Sequence, residues 1–167
     1  MDQDITIRPI YNNFSDEIIG LILPIQQQEF NVPVTLADQP DLQDIEKHYH
    51  DNGGCFWGVF KNDELIGTIG LMALGHRAGA IRKMFVKEKF RGKVHGVAQL
   101  ALETMISYCK EKNITHLYLG TVGLLKAAIR FYEKNGFEPI DKEKLPDYFP
   151  RMQADHIFYH LRLGNAK

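Results

Sequence analysis

Short apolar segments bounded by turn residues predict a set of β-strands in this chain. Residues 5–8 alternate between apolar and polar and stop at Pro9, which is typical of a strand with one buried face. Residues 54–60 and 65–74 are predicted to form a hairpin, and its second arm is apolar on both faces, as in a central strand. Further strands are predicted at residues 78–86, 116–121, 137–140 and 155–163.

Apolar residues spaced three and four apart predict helices between these strands. Ser15-Asp16-Glu17 is a typical helix start, and Pro24 should end or kink the helix that begins there. A short helix is predicted at residues 41–50. Two longer amphipathic helices follow, one from about residue 96 to residue 112 and one that ends at Asn135-Gly136, a pair that favours a left-handed cap.

The order of these elements predicts the fold class. Strands and helices alternate only in the middle of the chain, so we expect an α/β fold whose mixed sheet carries helices on both faces. The 167 residues are 44% hydrophobic and 25% charged, and they contain no repeat or low-complexity stretch. We therefore predict a single domain over residues 1–167.

Composition argues against several classes of function. No apolar run is long enough to span a bilayer, and the acidic start does not resemble a signal peptide, so we expect a cytoplasmic protein without a membrane partner. Cys55 and Cys109 fall inside predicted elements and are expected to be buried apolar side chains. The seven histidines show no metal-ligand spacing, so no metal is predicted, and the net charge of −1 disfavours nucleic acid as a partner.

Charge is distributed unevenly along the chain. Residues 1–51 contain ten acidic and two basic residues, so the remainder is net positive. Between Arg82 and Lys93, six basic residues stand against one acid, Glu88. An anionic cofactor on the basic part and a cationic acceptor near the acidic part would suit this polarity. Solvated charged surfaces would produce the same pattern, and both interpretations stay open.

The segment from residue 78 to residue 96 joins an apolar strand, the basic turn and a glycine at the start of a helix. The first N–H groups of a helix have no partner within it, and the helix dipole adds partial positive charge there. A pyrophosphate would satisfy both. The pattern therefore indicates a site for a phosphorylated cofactor.

Two motifs, in this order, resemble those of the GNAT superfamily of acyl-CoA-dependent N-acetyltransferases. The first runs from Met84-Phe85-Val86 through Arg91-Gly92-Lys93 to Gly96-Val97-Ala98, and the second is Phe131-Tyr132-Glu133-Lys134-Asn135-Gly136-Phe137. The resemblance covers residues 64 to about 140. It implies a mixed sheet of six or seven strands, splayed between strands 78–86 and 116–121, with the co-substrate acetyl-CoA in the opening.

The resemblance also implies which residues hold the cofactor. The family's pyrophosphate loop fits in two registers, one from Arg91 and one from Lys93, and the second is preferred because it keeps Gly96 and Ala98 in the glycine and alanine positions. Pantetheine would pair with the backbone of the strand that ends at Val86. The cofactor-binding residues expected in total are Met84, Phe85, Val86, Arg91, Gly92, Lys93, Val94, His95, Gly96, Val97, Ala98, Thr121, Ala128, Tyr132 and Lys134.

Tyr132 matches the family tyrosine that protonates the departing thiolate, a role for which a phenol is suited. Its place on the apolar face of a helix would by itself predict a core residue, but the family motif favours the catalytic role. The strand at residues 78–86 has no carboxylate, although several family members carry a general base there. Glu29, Asp155 and His156 are the candidates. Glu29 is preferred because it follows the first helix, which borders the acceptor site in the family, although an exposed acid at a helix end would explain it equally well.

The resemblance predicts a transferase that moves an acetyl group from acetyl-CoA to a primary amine by direct attack in a ternary complex. The acceptor, a small molecule or a peptide, and homodimer formation stay open. One alternative is a non-catalytic acyl-CoA sensor or interaction module, suggested by the missing strand carboxylate and by Leu125, where the family often has asparagine. The other is a nucleotide-binding regulator, for which no Rossmann or P-loop glycine pattern is present.

Overall fold

Seven strands form one sheet in the computed structural model, which describes residues 4–92, 95–152 and 155–164. The strands lie in the order β1-β2-β3-β4-β5-β7-β6. All neighbouring strands are antiparallel except β4 and β5, so the sheet is mixed, as predicted. Their bounds are β1 Ile5–Pro9, β2 Cys55–Lys61, β3 Glu64–Gly75, β4 Ala78–Val86, β5 His116–Thr121, β6 Glu138–Pro139 and β7 Ile157–Arg162.

Four α-helices accompany the strands in the described part of the chain: α1 Ser15–Pro24, α2 Ile45–His48, α3 Val97–Glu111 and α4 Lys126–Lys134. The prediction for Pro24 is confirmed, because the α-helix ends there and a π-helical turn, Ile25–Glu29, continues it. In that turn the N–H of Phe30 donates to the carbonyl of Ile25, five residues back, at 3.1 Å.

The short helix predicted at residues 41–50 is wrong in extent. The chain forms a 3₁₀ turn at Pro40–Gln43, then α2, then a second 3₁₀ turn at His50–Asn52. Asp44 interrupts the predicted helix because its side chain caps α2, accepting a hydrogen bond of 3.2 Å from the N–H of Lys47.

Of the three apolar cores in the described part of the chain, the two largest lie on opposite faces of the sheet. Alternate residues of β2 point to opposite sides, so Trp57 and Val59 join the core that contains buried residues of α3. Phe56 and Phe60 join the core that contains Ile18 and other buried residues of α1. The helices thus lie on both faces, which confirms the predicted fold class.

The opening in the sheet lies between β4 and β5. The two strands pair in parallel over only three positions, from Ala78 opposite His116 to Ala80 opposite Tyr118. Beyond these positions the described ladder between them ends, although β5 continues to pair with β7 as far as Thr121. The predicted splay between strands 78–86 and 116–121 is confirmed.

A bulge distorts β4 next to this opening. The pairing register between β3 and β4 shifts near Lys83, whose φ of 56° lies in the left-handed region. The hydroxyl of Thr68 on β3 donates to the carbonyl of Lys83 at 2.7 Å and so stabilises the irregular backbone. The bulge therefore changes the direction of side chains and peptide groups at the edge of the cavity described below.

Two further expectations from the sequence concern the cysteines and membrane-spanning helices. Cys55 and Cys109 are unpaired and buried, as predicted, and burial raises the pKa of the first thiol to about 11 and of the second to about 12. Among the helices that the structure describes, none combines the length and the apolar character needed to cross a bilayer.

Candidate active site

A cavity of about 120 Å³ occupies the opening between β4 and β5. Its walls come from β4, β5, α4, the segment that follows α1 and the segment that precedes β7. The side chains that carry polar or charged groups into its lining are Gln26, Gln39, Arg82, Lys83, Thr121, Tyr132 and Asp155.

Tyr132 belongs both to the core and to the cavity. Its ring packs against Phe137 and Tyr159, with centroid distances of 5.5 and 6.4 Å, and its hydroxyl lies 3.9 Å from Sδ of Met84. Burial, and then the negative charge of Asp155, raise the pKa of the phenol well above its ordinary value. The hydroxyl is therefore protonated at neutral pH and able to donate a proton into the cavity.

Asp155 places a carboxylate in the same cavity. Gly120 makes room for it, because a Cβ at that position would lie 2.6 Å from Oδ2 of Asp155. Burial raises the pKa of Asp155, while the charges of Arg82 and then Lys83 oppose the shift. The other neighbouring candidate base, His156, accepts a hydrogen bond of 3.1 Å at Nε2 from the N–H of Gly123.

Glu29 lies elsewhere. Its carboxylate accepts two hydrogen bonds from the guanidinium of Arg91, one between Nη2 and Oε1 at 2.8 Å and a shorter one between Nη1 and Oε2. Glu29 is not among the described residues that line the cavity. The structure thus brings Asp155, and not the preferred candidate Glu29, next to Tyr132.

Arg91, predicted to contact the cofactor, also holds the end of β4. Its Nε donates to the carbonyl of Val86 at 2.8 Å while its other nitrogens bind Glu29. This places the guanidinium between the segment after α1 and the turn that leads to α3.

Lys83 is a buried cation that the sequence pattern does not indicate. Its Nζ donates to Oε1 of Gln39 at 2.6 Å and lies 3.7 Å from Oδ2 of Asp41, with only 6% of each charged side chain exposed. Asp41 also accepts a hydrogen bond of 2.7 Å from the hydroxyl of Tyr49. Burial lowers the pKa of Lys83 to about 8, although the charge of Asp41 favours the protonated form.

Arg82 has no such partner among the residues that the structure describes. Its half-buried side chain lines the cavity, and the described residues provide neither a hydrogen bond nor an ion pair within 4.0 Å for its guanidinium. The cavity thus contains a cation and an anion, Arg82 and Asp155, that are close enough to influence each other but do not form an ion pair.

The predicted pyrophosphate site lies at the start of α3. Gly96 is the N-cap residue with a φ of 66° and brings no capping side chain, and helix geometry gives the first N–H groups of α3 no partner within the helix. The ring of His95 packs edge-on against Phe90 at 5.6 Å, and the side chain of Val97 is buried. Lys93 and Val94 lie outside the described residues, so the register of the loop stays a prediction.

Several residues predicted to bind the cofactor do line the cavity, and they come from three elements. Met84 and Phe85 from β4, Thr121 from β5 and Ala128 from α4 all line the cavity with Tyr132. Four other residues predicted to bind the cofactor lie outside this lining. The carbonyl of Val86 accepts a hydrogen bond from Arg91, and Lys134 is exposed in the last turn of α4. Gly92 has a left-handed backbone with a φ of 98°, and Ala98 lies in the first turn of α3.

Comparison with known proteins defines the class to which this splayed sheet and its cavity belong. Residues 19–137 match the profile of the acetyltransferase (GNAT) family. The chain belongs to this family, which confirms the resemblance on which the prediction was based.

Solved structures agree with this assignment. A GNAT-family acetyltransferase from Staphylococcus aureus is 38% identical, with a TM-score of 0.93 over 96% of this chain and 99% of that one. A PaiA N-acetyltransferase from Thermoplasma acidophilum, in complex with coenzyme A, has a TM-score of 0.76 over 97% and 99% of the two chains. At 16% identity the second comparison shows the fold alone.

Several curated relatives are named as N-acetyltransferases. The uncharacterized N-acetyltransferase YjgM of Escherichia coli is 33% identical over 110 residues, 64% of each chain. N-acetylaspartate synthetase of Danio rerio is 27% identical over 133 residues, which are 76% of this chain but only 46% of that protein. The chain therefore spans less than half of the length of that relative. These matches support the predicted class of enzyme, an acetyl-CoA-dependent N-acetyltransferase.

Proposed function

We propose that this protein transfers an acetyl group from acetyl-CoA to a primary amine by direct attack in a ternary complex. The observation that carries the proposal is the cavity at the splay of the sheet, where the protonated hydroxyl of Tyr132 and the carboxylate of Asp155 line one small space. Membership of the GNAT family supports acyl transfer in general. Relatives named N-acetylaspartate synthetase support an amine as the acceptor.

The chain offers a matching site for acetyl-CoA. The first N–H groups of α3, at Val97 and Ala98, would bind the pyrophosphate, because helix geometry gives them no partner within the helix and they lie at its positive end. The edge of β4 that faces β5 has no described strand partner after Ala80, so pantetheine would pair there with Met84 and Phe85. This edge leads directly to the cavity that contains Tyr132.

In the proposed reaction the acceptor first loses a proton, because an ammonium group has no lone pair with which to attack. Asp155 takes this proton, since it is the described carboxylate in the cavity lining and burial gives it a raised pKa. The amine nitrogen then forms a bond to the thioester carbon, and the bond from that carbon to sulfur breaks. Tyr132 donates a proton to the departing thiolate, and the second proton that the nitrogen loses as it becomes an amide restores the phenol.

The alternative of a non-catalytic sensor loses one of its two supports. It was suggested by the missing carboxylate on the strand at residues 78–86, and Asp155 supplies a carboxylate to the same cavity from the segment before β7. Leu125 does line the cavity, so the amide contact common in the family is replaced there by an apolar one.

Two measurements on the purified chain test the proposal. Titration calorimetry should show binding of CoA and acetyl-CoA, and a thiol-release assay should show acetyl-CoA consumption that depends on an added amine. Binding without thiol release for any amine would favour the sensor. No binding of either compound would refute the proposed function itself.

A further inference from the structure

We infer that the acceptor is a small amino carboxylate, whose carboxylate binds Arg82 and whose amino group lies at Asp155. This inference names the substrate class of the cavity described above and rests on the proposed acetyl transfer. It is based on the charged groups of the cavity lining. Some of these groups already have a partner within the protein, and others do not.

Three of the seven polar or charged side chains in the described lining, Gln26, Gln39 and Lys83, already have partners within the protein. The side-chain amides of Gln26 and Gln39 pair with each other in both directions at 2.9 Å, and Gln39 also accepts from Lys83. Lys83 in turn faces Asp41, which compensates its charge. These four side chains form a closed network and leave little capacity to bind a ligand.

Arg82 and Asp155 are the two charged groups of the lining that have no ion-pair partner among the described residues. Both are half-buried and line the cavity, and the charge of Arg82 is the largest electrostatic influence on Asp155 that opposes the effect of burial. Nevertheless, within the described residues no ion pair of 4.0 Å or less joins them or engages either group with another side chain. A partly buried charge without a partner is costly, so a ligand that supplies both opposite charges would be stabilised between them.

An amino carboxylate has this charge pattern. The guanidinium of arginine presents parallel N–H donors that match the two oxygens of a carboxylate. The ammonium group of the same molecule would approach Asp155, which is the group that must remove its proton. A polyamine does not suit the cavity, because Arg82 would repel it and the described lining offers a single carboxylate, that of Asp155.

The test compares acceptors that differ only in the carboxylate. The twenty standard L-amino acids, their amides and the corresponding decarboxylated amines would be assayed by thiol release at saturating acetyl-CoA. We expect at least one amino acid to be preferred over its own amide by about 10- to 100-fold in kcat/KM, the usual effect of a charge-assisted pair of hydrogen bonds. Equal or better activity with the carboxylate-free amines would overturn the inference.

The Arg82→Gln variant tests whether the preference for an amino acid over its amide depends on Arg82. The variant should abolish the preference for the amino acid over its amide, mainly by raising KM for the acid, and Arg82→Lys should restore part of it. Arg162→Gln, at the exposed end of β7, is the matched control and should keep the preference. A variant that loses activity equally toward acid and amide would show that Arg82 has a structural role, contrary to the inference.

Calorimetry with CoA separates this result from a failure of the proposed function. If CoA does not bind, the acetyl transfer itself is refuted. If CoA binds and only amines without a carboxylate are acetylated, acetyl transfer stands and the inference about the acceptor is wrong. If CoA binds and no amino acid is acetylated, the inference is equally wrong.

Discussion

Lys83, in the bulge of β4, donates a hydrogen bond of 2.6 Å from Nζ to Oε1 of Gln39, in the segment between the first helix and α2. Gln39 also pairs with Gln26 in the π-helical turn after α1. The contact therefore joins three parts of the chain at one wall of the cavity. It fixes a lysine that has a backbone φ of 56°, a conformation that costs roughly 1–3 kcal/mol and persists only where neighbouring contacts enforce it.

The burial of Lys83 should make stability depend on pH. Its pKa is about 8 in the folded protein and 10.5 in the unfolded chain, so between these values the unfolded chain binds more protons. The free energy of unfolding should therefore rise with pH in this window, by up to about 1.4 kcal/mol per pH unit. Urea unfolding at several pH values, compared with Lys83→Met, measures this contribution, because the methionine variant lacks it.

Lys87→Met is the matched control for that experiment. Lys87 pairs with Glu64 on the surface at 3.0 Å, with 39% of the lysine side chain exposed, so its removal should change stability little at any of these pH values. A difference between wild type and Lys83→Met that stays constant from pH 8 to pH 10 would contradict the lowered pKa.

Tyr132→Phe should reduce kcat by about 10²- to 10⁴-fold, the usual range for loss of a general acid, and leave the affinity for acetyl-CoA unchanged. Steady-state kinetics and calorimetry measure the two quantities. Tyr159→Phe removes a neighbouring hydroxyl that donates to Glu133 at 2.7 Å and should keep kcat within a few-fold. Unchanged turnover in Tyr132→Phe would remove this tyrosine from the mechanism.

Asp155→Asn should lower kcat/KM by about 10²-fold or more, because the amide cannot accept the proton of the acceptor. In the wild-type enzyme kcat/KM should fall as the pH drops through the raised pKa of Asp155, and this decrease at low pH should be absent from the variant.

The Glu29→Gln variant tests the other candidate base. We expect only the loss of the exposed ion pair between Glu29 and Arg91, worth about 0–1 kcal/mol of stability. If Glu29→Gln were inactive and Asp155→Asn active, the general base would be Glu29, the candidate preferred from the sequence.

Gly120→Ala should impair catalysis without changing any charge. A Cβ there would lie 2.6 Å from Oδ2 of Asp155 and 2.9 Å from the ring of Phe158, so the carboxylate must move. Gly123→Ala is the control, because its Cβ would have contacts of 3.4 Å and longer. Thiol-release kinetics should show a loss of kcat/KM for the first variant and little change for the second; equal activity would mean that the position of Asp155 is unimportant.

Gly96→Ala should weaken CoA binding. An alanine in the left-handed region costs roughly 1–2 kcal/mol, and relief of that strain would displace the N–H groups at the start of α3. Gly53→Ala, with a φ of 94° at the end of the turn before β2, should lower stability similarly but spare the affinity for CoA. Calorimetry with CoA and urea unfolding distinguish the two effects. An unchanged Kd in Gly96→Ala would argue against the proposed pyrophosphate site.

Local patterns in the sequence were sufficient for much of the fold. The strands Ala78–Val86 and His116–Thr121 have the predicted bounds, because each is a short apolar segment between turn residues. The motif at residues 131–137 placed Tyr132 on the face of α4 that meets the cavity, since helical periodicity fixes the direction of a side chain. The family followed from the same motifs, whereas the roles of the cofactor residues stay predictions.

Tertiary structure alone decided which charged groups meet. Lys83 contacts Gln39 across 44 positions of sequence and Arg91 contacts Glu29 across 62, and no periodic pattern connects residues so far apart. For the same reason the sequence could not choose between Glu29 and Asp155. Periodicity reports which face of its own element a side chain occupies, but only the packing of separate elements determines the partner on the other side.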